Sequence, residues 1–428
     1  ASTKGDGRIN VLTNSTVYGI DAYRSTFYRP AVVEARLAGR PDPLPAAASG
    51  IQNAASFEPP VVIIRGPEAG MVFTGPNAEL SVSVADQRQP VKTVKVLVNG
   101  RLLGSEDMQG LSGSRGLVVE GAGGLSVSGK ENRLDFRFPL TLSPGTNRVE
   151  VIATNGYSEG KDSVEVTYRA QTNQQEILPN LWILAIGINR YDDPGIRNLD
   201  YSVADARGII DAFKRQEGKV YRRVNSLLIA DGAGLSPTAE NIKDNFSWLR
   251  QAGQRDVVLL FIAGHGVNDP GGSFLFLPSD AAFGQDGNVR ASRAISNRDI
   301  YSVLDVPGQK LVFIDSCHSE GVSGRKTRAV DNNQLVRDLM DNSTVIFTSS
   351  RGSELSQESK EYGHGLFTWA IMQGMKGEAD LIRDGKITMK ELDAYVSEKV
   401  PALTGGAQHP TTTTPDGYIN FNVAIPGR

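Results

Sequence analysis

The 428-residue chain carries 48 acidic and 45 basic residues, a formal net charge of −3, so no global field favours nucleic acid or an anionic membrane surface. Its single cysteine excludes an intrachain disulfide and a cysteine-rich zinc site, and no apolar run approaches the roughly 20 residues that span a bilayer. The length suits two or three domains, each able to bury its own core. One cysteine fits a reducing compartment, with the cytoplasm favoured, although it would also survive in an oxidising one. The polar start from Ala1 is no secretory signal and lacks an initiator methionine, so a longer precursor with an upstream domain is expected.

Residues 1–57 read as a lead-in segment, with a helix expected near Ala31–Leu37, followed by a Pro/Ala-rich linker from Gly39 to Gly50. From 58 to 170 the pattern changes to short alternating strands: Val61–Ile64, Leu80–Val84, Val94–Val98, Leu134–Phe138, Arg148–Ala153 and Ser163–Tyr168. Turn signals separate them at Asn99-Gly100, Pro144-Gly145 and Asn155-Gly156. Such spacing predicts an all-β immunoglobulin-like sandwich without a cysteine pair, and Gly110–Gly129 reads as a long internal loop.

Between 178 and 428 strands alternate with helices, which predicts an α/β domain with a mostly parallel central sheet. Leu181–Ile188 is its first strand, and Leu199, Val203, Ala206, Ile210 and Phe213 then recur at helical spacing. Ser236-Pro237 reads as a cap opening a helix that buries Ile242, Phe246 and Leu249. A hairpin through Phe274–Pro278, a helix near Arg298–Leu304, a strand Thr344–Thr348 and a helix His364–Met375 follow, and Thr388 to Glu391 is a capping box that starts the last helix.

Two apolar runs in this region end on chemistry. Asp256–Gly266 closes on Ala263-Gly264-His265-Gly266, and Lys310–Cys317 closes on Asp315-Ser316-Cys317, 52 positions later. Both read as buried parallel strands, and in an open α/β sheet polar residues just past the strand ends meet at one rim. A free thiol, pKa about 8.5, is mostly protonated at neutral pH, so an imidazole that takes its proton generates the nucleophilic thiolate. His265 is thus the candidate base and Cys317 the candidate nucleophile. The backbone N–H groups of Gly266 and Cys317 are the candidate oxyanion donors.

In this order the motifs resemble the bacterial caspase-like cysteine peptidases, close to metacaspases and orthocaspases. The residues that carry the resemblance are Leu181–Asn189 with Tyr191, Asn198–Ala206, Ala263–Gly266, Leu277–Asp280, Phe313–Ser319 and Gly363–Trp369. Glu320 stands where a glycine is usual after Ser319, and Ala263 where some metacaspases carry serine. The resemblance implies a caspase fold and a cysteine endopeptidase working through an acyl-enzyme. It further implies a substrate pocket lined by Asp205 and Asp315 that takes Arg or Lys before the cut bond, and so protein or peptide partners. Family behaviour also implies self-cleavage after Arg325, Lys326 or Arg328, in the loop following Cys317. The stretch around Phe27–Val33 resembles the segment that joins WD-repeat propellers to such peptidases.

Plainer readings stand beside these. A lone cysteine is most often a small buried hydrophobe, Asp205 on an amphipathic helix reads equally as a solvated carboxylate, and the Arg/Lys loop as ordinary surface. His318 has no assigned role, and His364 is read as structural because it precedes a helix. No cofactor or metal is needed; calcium activation, seen in some metacaspases, would have to use Asp269, Asp280 and Asp286, whose spacing is not dense. The competing functions are an inactive caspase-fold scaffold and a peptidase with Asp specificity.

Overall fold

The computed structural model describes residues 10–13, 16–23, 57–87, 89–107, 126–130, 133–169, 178–253, 255–269, 273–304, 306, 308–317, 344–351, 354–415, 418 and 420–427. For residues 10–17, 20, 21, 101–107, 126–130 and 317 the description is of the backbone. The chain divides into two compact units, Ala1–Gln174 and Gln175–Arg428.

The first unit begins with a hairpin of β1 (Asn10–Thr13) and β2 (Thr16–Gly19). Nine further strands follow: β3 (Val61–Gly66), β4 (Val72–Phe73), β5 (Asn77–Ala85), β6 (Thr93–Val98), β7 (Arg101–Asp107), β8 (Ser126–Lys130), β9 (Arg133–Thr141), β10 (Gly145–Thr154) and β11 (Glu159–Tyr168). They form two sheets, ordered β4-β11-β10-β6-β7 and β3-β5-β9-β8. Alternation along the strands puts Val149, Val151 and Ala153 of one sheet against Leu80, Val82 and Phe136 of the other, in a single core between the two layers. The unit is therefore a β-sandwich. Asn99 and Gly100 both have positive φ, 57° and 75°, as a two-residue hairpin turn requires, and they join β6 to β7.

Each of the six expected strands is present, but Ser126–Lys130 is strand β8, hydrogen-bonded to β9, rather than part of a loop. Its alternation of serine, valine and glycine carries too little apolar signal to be read as a strand. The expected helix at 31–37 and the linker lie outside the described residues.

In the second unit the sheet runs β13 (Val224–Ala230), β12 (Leu181–Gly187), β14 (Val257–Asn268), β17 (Gln309–Cys317), β18 (Thr344–Thr348) and β22 (Thr411–Thr413). All neighbours are parallel except β18 and β22. Helices α1 (Ser202–Lys214), α4 (Leu366–Gln373) and α5 (Met389–Leu403) cover one face, where Phe213, Phe367 and Leu392 pack on Phe261 and Phe313. Helices α2 (Ala239–Asp244) and α3 (Asn297–Val303) cover the other, where Ile242 and Ile300 meet Leu260 and Ile314. Burial on both faces explains why β12, β14 and β17 are almost continuously apolar. The short pairs are β15 (Phe274–Phe276) with β16 (Ile295–Ser296), β19 (Glu358–Ser359) with β20 (His364–Gly365), and β21 (Ile387–Thr388) with β23 (Asn422–Ala424).

Two local expectations need correction, and one strand is new. Thr238 caps α2, accepting from the Asn241 N–H, so Ser236 and Pro237 lie before the helix rather than inside it. His364 and Gly365 are extended, paired with Glu358–Ser359, and α4 starts only at Leu366. Strand β13 has no counterpart in the sequence reading, because Asn225 and Ser226 break its apolar run.

Candidate active site

The chain leaves β12 first to pair β13 and then crosses back to β14, so the order reverses between β13 and β14 and the crevice opens beyond the carboxyl ends of β12, β14 and β17. The last rung joining β14 to β17 pairs His265 with Cys317. The two candidate dyad residues are thus brought together on adjacent parallel strands, whose backbones run about 4.8 Å apart.

His265 is held on three sides. The Tyr191 hydroxyl accepts its backbone N–H at 2.8 Å, and the Tyr191 ring lies 5.1 Å from the imidazole. The Nε2–H donates to the Arg197 carbonyl oxygen at 2.7 Å. A carbonyl only accepts, so the proton sits on Nε2 and Nδ1 presents its lone pair. No described atom hydrogen-bonds that buried Nδ1. Burial is the main influence on the ring and pushes its pKa below the ordinary imidazole value, which favours its neutral form. Both flanking glycines are required sterically. A Cβ at Gly264, whose φ is +156°, would stand 3.0 Å from the Phe276 ring and from the Tyr191 hydroxyl; one at Gly266 would stand 2.5 Å from the Phe274 ring and 2.7 Å from Ser316 Oγ.

Asp205 and Asp315 come together from α1 and β17, and both are buried. Asp315 accepts from Ser356 Oγ and Thr368 Oγ1, each at 2.7 Å. Asp205 accepts from the Gly365 N–H at 3.1 Å, and one of its oxygens lies 2.8 Å from His364 Nδ1. The two carboxylates face one another across Gly365: a Cβ there would stand 2.8 Å from Asp315 Oδ2 and 3.1 Å from Asp205 Oδ2. Burial, followed by the charge of Asp315, pushes Asp205 well above the usual carboxylate range. Burial also lifts Asp315, against the hydroxyl donors that favour its charged form.

A third carboxylate escaped the sequence reading. Glu358 accepts from the backbone N–H groups of Tyr201 and Asp200 at 3.0 and 3.2 Å, so it clips the start of α1 to β19. Burial raises its pKa as well, and the charge of Asp315 adds to the effect. Among the described residues no lysine or arginine forms an ion pair with any of the three. Behind Asp315, the buried Gln408 donates from Nε2 to the Ser349 carbonyl oxygen and to Ser356 Oγ, and accepts from the Gln357 N–H.

Asp269, Asp280 and Asp286 bond separate local partners: the Ser273 N–H, the Ala239 N–H with Arg293, and Asn288. No group of three metal-ligating side chains forms among the described residues. Arg325, Lys326 and Arg328 lie outside the described residues. No helix among those described is long and apolar enough to cross a membrane.

The Caspase domain family matches residues 181–416, more than half of the chain. The chain belongs to the caspase-domain family. This family consists of cysteine-type peptidases that act on proteins, and the caspase domain here is the second unit with its mostly parallel sheet. Among solved structures the chain is similar to pro-sf-caspase-1, at 12% identity over 56% of this chain and 93% of that one, with a TM-score of 0.35. It is also similar to fibronectin(III)-like modules of Clostridium thermocellum CbhA, at 16% identity over 27% of this chain, with a TM-score of 0.20. A chimeric titin Z1Z2 aligns at 18% identity over 27% of this chain and 98% of its own, with a TM-score of 0.17. The alignment spans 50% of the CbhA chain. A search of curated proteins found no match.

Proposed function

We propose that this caspase-domain protein is an endopeptidase that cuts after Arg or Lys, with Cys317 as nucleophile and His265 as its base. The pairing of His265 with Cys317 on the last rung between β14 and β17, with Nδ1 of the imidazole free of hydrogen-bond partners among the described residues, carries the reading. The free lone pair takes the thiol proton, the thiolate attacks the peptide carbonyl, and the imidazolium returns the proton to the leaving amine. Water, deprotonated by the same Nδ1, then releases the acyl group. The backbone N–H groups of Gly266 and Cys317 are proposed to receive the oxyanion.

The acidic pocket supports basic specificity. Two buried carboxylates that have no arginine or lysine partner among the described residues are costly until a cation reaches them, and a guanidinium can bond both at once. An Asp side chain would meet like charge there, which disfavours acidic specificity. The first unit, proposed as immunoglobulin-like, would position substrate, a partner or the peptidase itself.

Fluorogenic peptides ending in Arg, Lys and Asp, given to wild type and Cys317→Ala with and without calcium, test the proposal. Turnover of Arg or Lys peptides that vanishes in Cys317→Ala is expected; no Cys317-dependent turnover of any peptide would favour the scaffold reading. On denaturing gels the active protein should show cleavage after Arg325, Lys326 or Arg328 that Cys317→Ala lacks. An intact band in active enzyme would remove self-processing from the proposal.

A further inference from the structure

Among the described residues His364 is the one histidine in contact with the acidic pocket, and its position there is built rather than incidental. Strands β19 and β20 pair Ser359 with His364 and Glu358 with Gly365, so the hairpin that brings Glu358 to α1 also brings His364 to Asp205. The ring edge lies against α1 itself: a Cβ at Gly208 would stand 2.6 Å from Met372 Sδ and 3.2 Å from His364 Cε1, so glycine at 208 keeps the seat of the ring open. Nδ1 reaches Asp205 Oδ1 at 2.8 Å, a distance at which one proton is shared between ring and carboxyl. The His364 side chain is 21% exposed and that of Asp205 4%, so solvent protons reach the pair through the ring.

We infer that His364 is the specificity-tuning residue of the acidic pocket: it fixes Asp205 through Nδ1, and with one added proton it supplies Asp205 with the positive charge that the substrate's basic side chain otherwise brings. The inference rests on the basic-pocket reading above. With one proton between them the pair carries one negative charge and attracts a guanidinium or ammonium. One added proton brings the pair to zero charge, whichever partner holds it, and the pocket loses that attraction.

The other charged groups facing the pair are Asp315 from β17 and Glu358 from β19, which draw a proton in, and Lys376 beyond α4, which pushes it away from the ring. Burial, before Lys376, also holds His364 below the ordinary imidazole value. Uptake of the second proton discharges the pocket as the medium turns acid. Substrate affinity should weaken as pH falls into the acid range, and the effect should appear in KM, because the dyad lies on a different rung.

The test measures kcat and KM for an Arg-ended fluorogenic peptide across the acid and neutral range, for wild type and His364→Asn. The asparagine amide keeps a donor near Nδ1 but does not titrate. In wild type, KM should rise about tenfold towards the acid end, the scale of one charge-assisted hydrogen bond. In His364→Asn the rise should move to more acid pH. A variant with the wild-type KM profile, or a change confined to kcat, overturns the inference. Should the variant fail to fold, calorimetry of agmatine binding to wild type near pH 6, in two buffers of different ionisation heat, decides the matter. Proton release is expected, and binding without proton exchange overturns the inference. Absence of both Arg-peptide turnover and agmatine binding at neutral pH would overturn the basic-pocket reading and this inference with it, whereas turnover with a flat KM profile removes the inference alone.

Discussion

Burial lifts the Asp315 carboxyl above its usual range although Ser356 and Thr368 both donate to it, and Asp315→Asn turns that imbalance into two measurements of opposite sign. A carboxyl whose folded pKa lies above its unfolded value contributes stability at acid pH that is lost as pH rises through the folded value. Each unit of elevation is worth about 1.4 kcal/mol. Asparagine keeps the shape, still accepts from Ser356 and can donate to the Thr368 hydroxyl, but carries no charge. At pH near 8 the variant should therefore be more stable than wild type, and near pH 4 the gain should vanish. The same change removes one charged acceptor for a guanidinium, about 1.5–3 kcal/mol, so kcat/KM for an Arg peptide should fall roughly 10- to 150-fold. Urea melts at both pH values and initial rates on the peptide give the two quantities, and alkylation of Cys317 by iodoacetamide at the wild-type rate would show the nucleophile still presented. A variant less stable than wild type by equal amounts at both pH values, with turnover intact, would refute the reasoning.

Because burial holds His265 below the ordinary imidazole value of about 6.5, kcat on the Arg peptide should stay level down to that pH and fall only in more acid buffer; a halving already at neutral pH would contradict a neutral base. Gly266→Ala forces a Cβ to 2.5 Å from the Phe274 ring, and denaturant melts should show a loss of about 1–3 kcal/mol together with sharply reduced turnover. Tyr191→Phe leaves the buried His265 N–H without its acceptor, so melts should register about 1–3 kcal/mol and kcat should drop more than KM rises. Gln408→Leu strips the donor behind Ser356, and steady-state kinetics should show a higher KM for Arg peptides at near-constant kcat.

The adjacency of His265 and Cys317 was legible because both end apolar runs, and buried parallel strands bring their carboxyl ends to a common rim. The pocket pair was legible only through resemblance, since Asp205 sits on a helix whose pattern shows an apolar stripe and not the contacts of its polar face. Arg197 could not be found in the same way. It acts through its carbonyl, which every residue possesses, and only tertiary placement brings that oxygen to His265. Glu358 was missed, and His364 read only as structural, for a related reason: their two-residue strands are too short to show a period, and the pairing that brings them beside Asp205 and α1 is read from the fold alone. Thr238 was passed over because Ser236-Pro237 offers the same cap chemistry two residues earlier, and nothing local separates the two.

Strands β17 and β18 bracket residues 318–343, and Lys310 through Ile314 pair with Thr344 through Thr348 in unbroken parallel register. A chain severed anywhere between them would keep its two pieces as neighbours in one sheet, each contributing aromatic side chains, Phe313 and Phe347, 5.2 Å apart in the same core. Scission would then separate fragments under denaturant while leaving a single particle on native size exclusion, with Cys317 on the amino-terminal fragment and His364 on the carboxy-terminal one. Maturation by cutting would free two new chain ends without dissociating the enzyme.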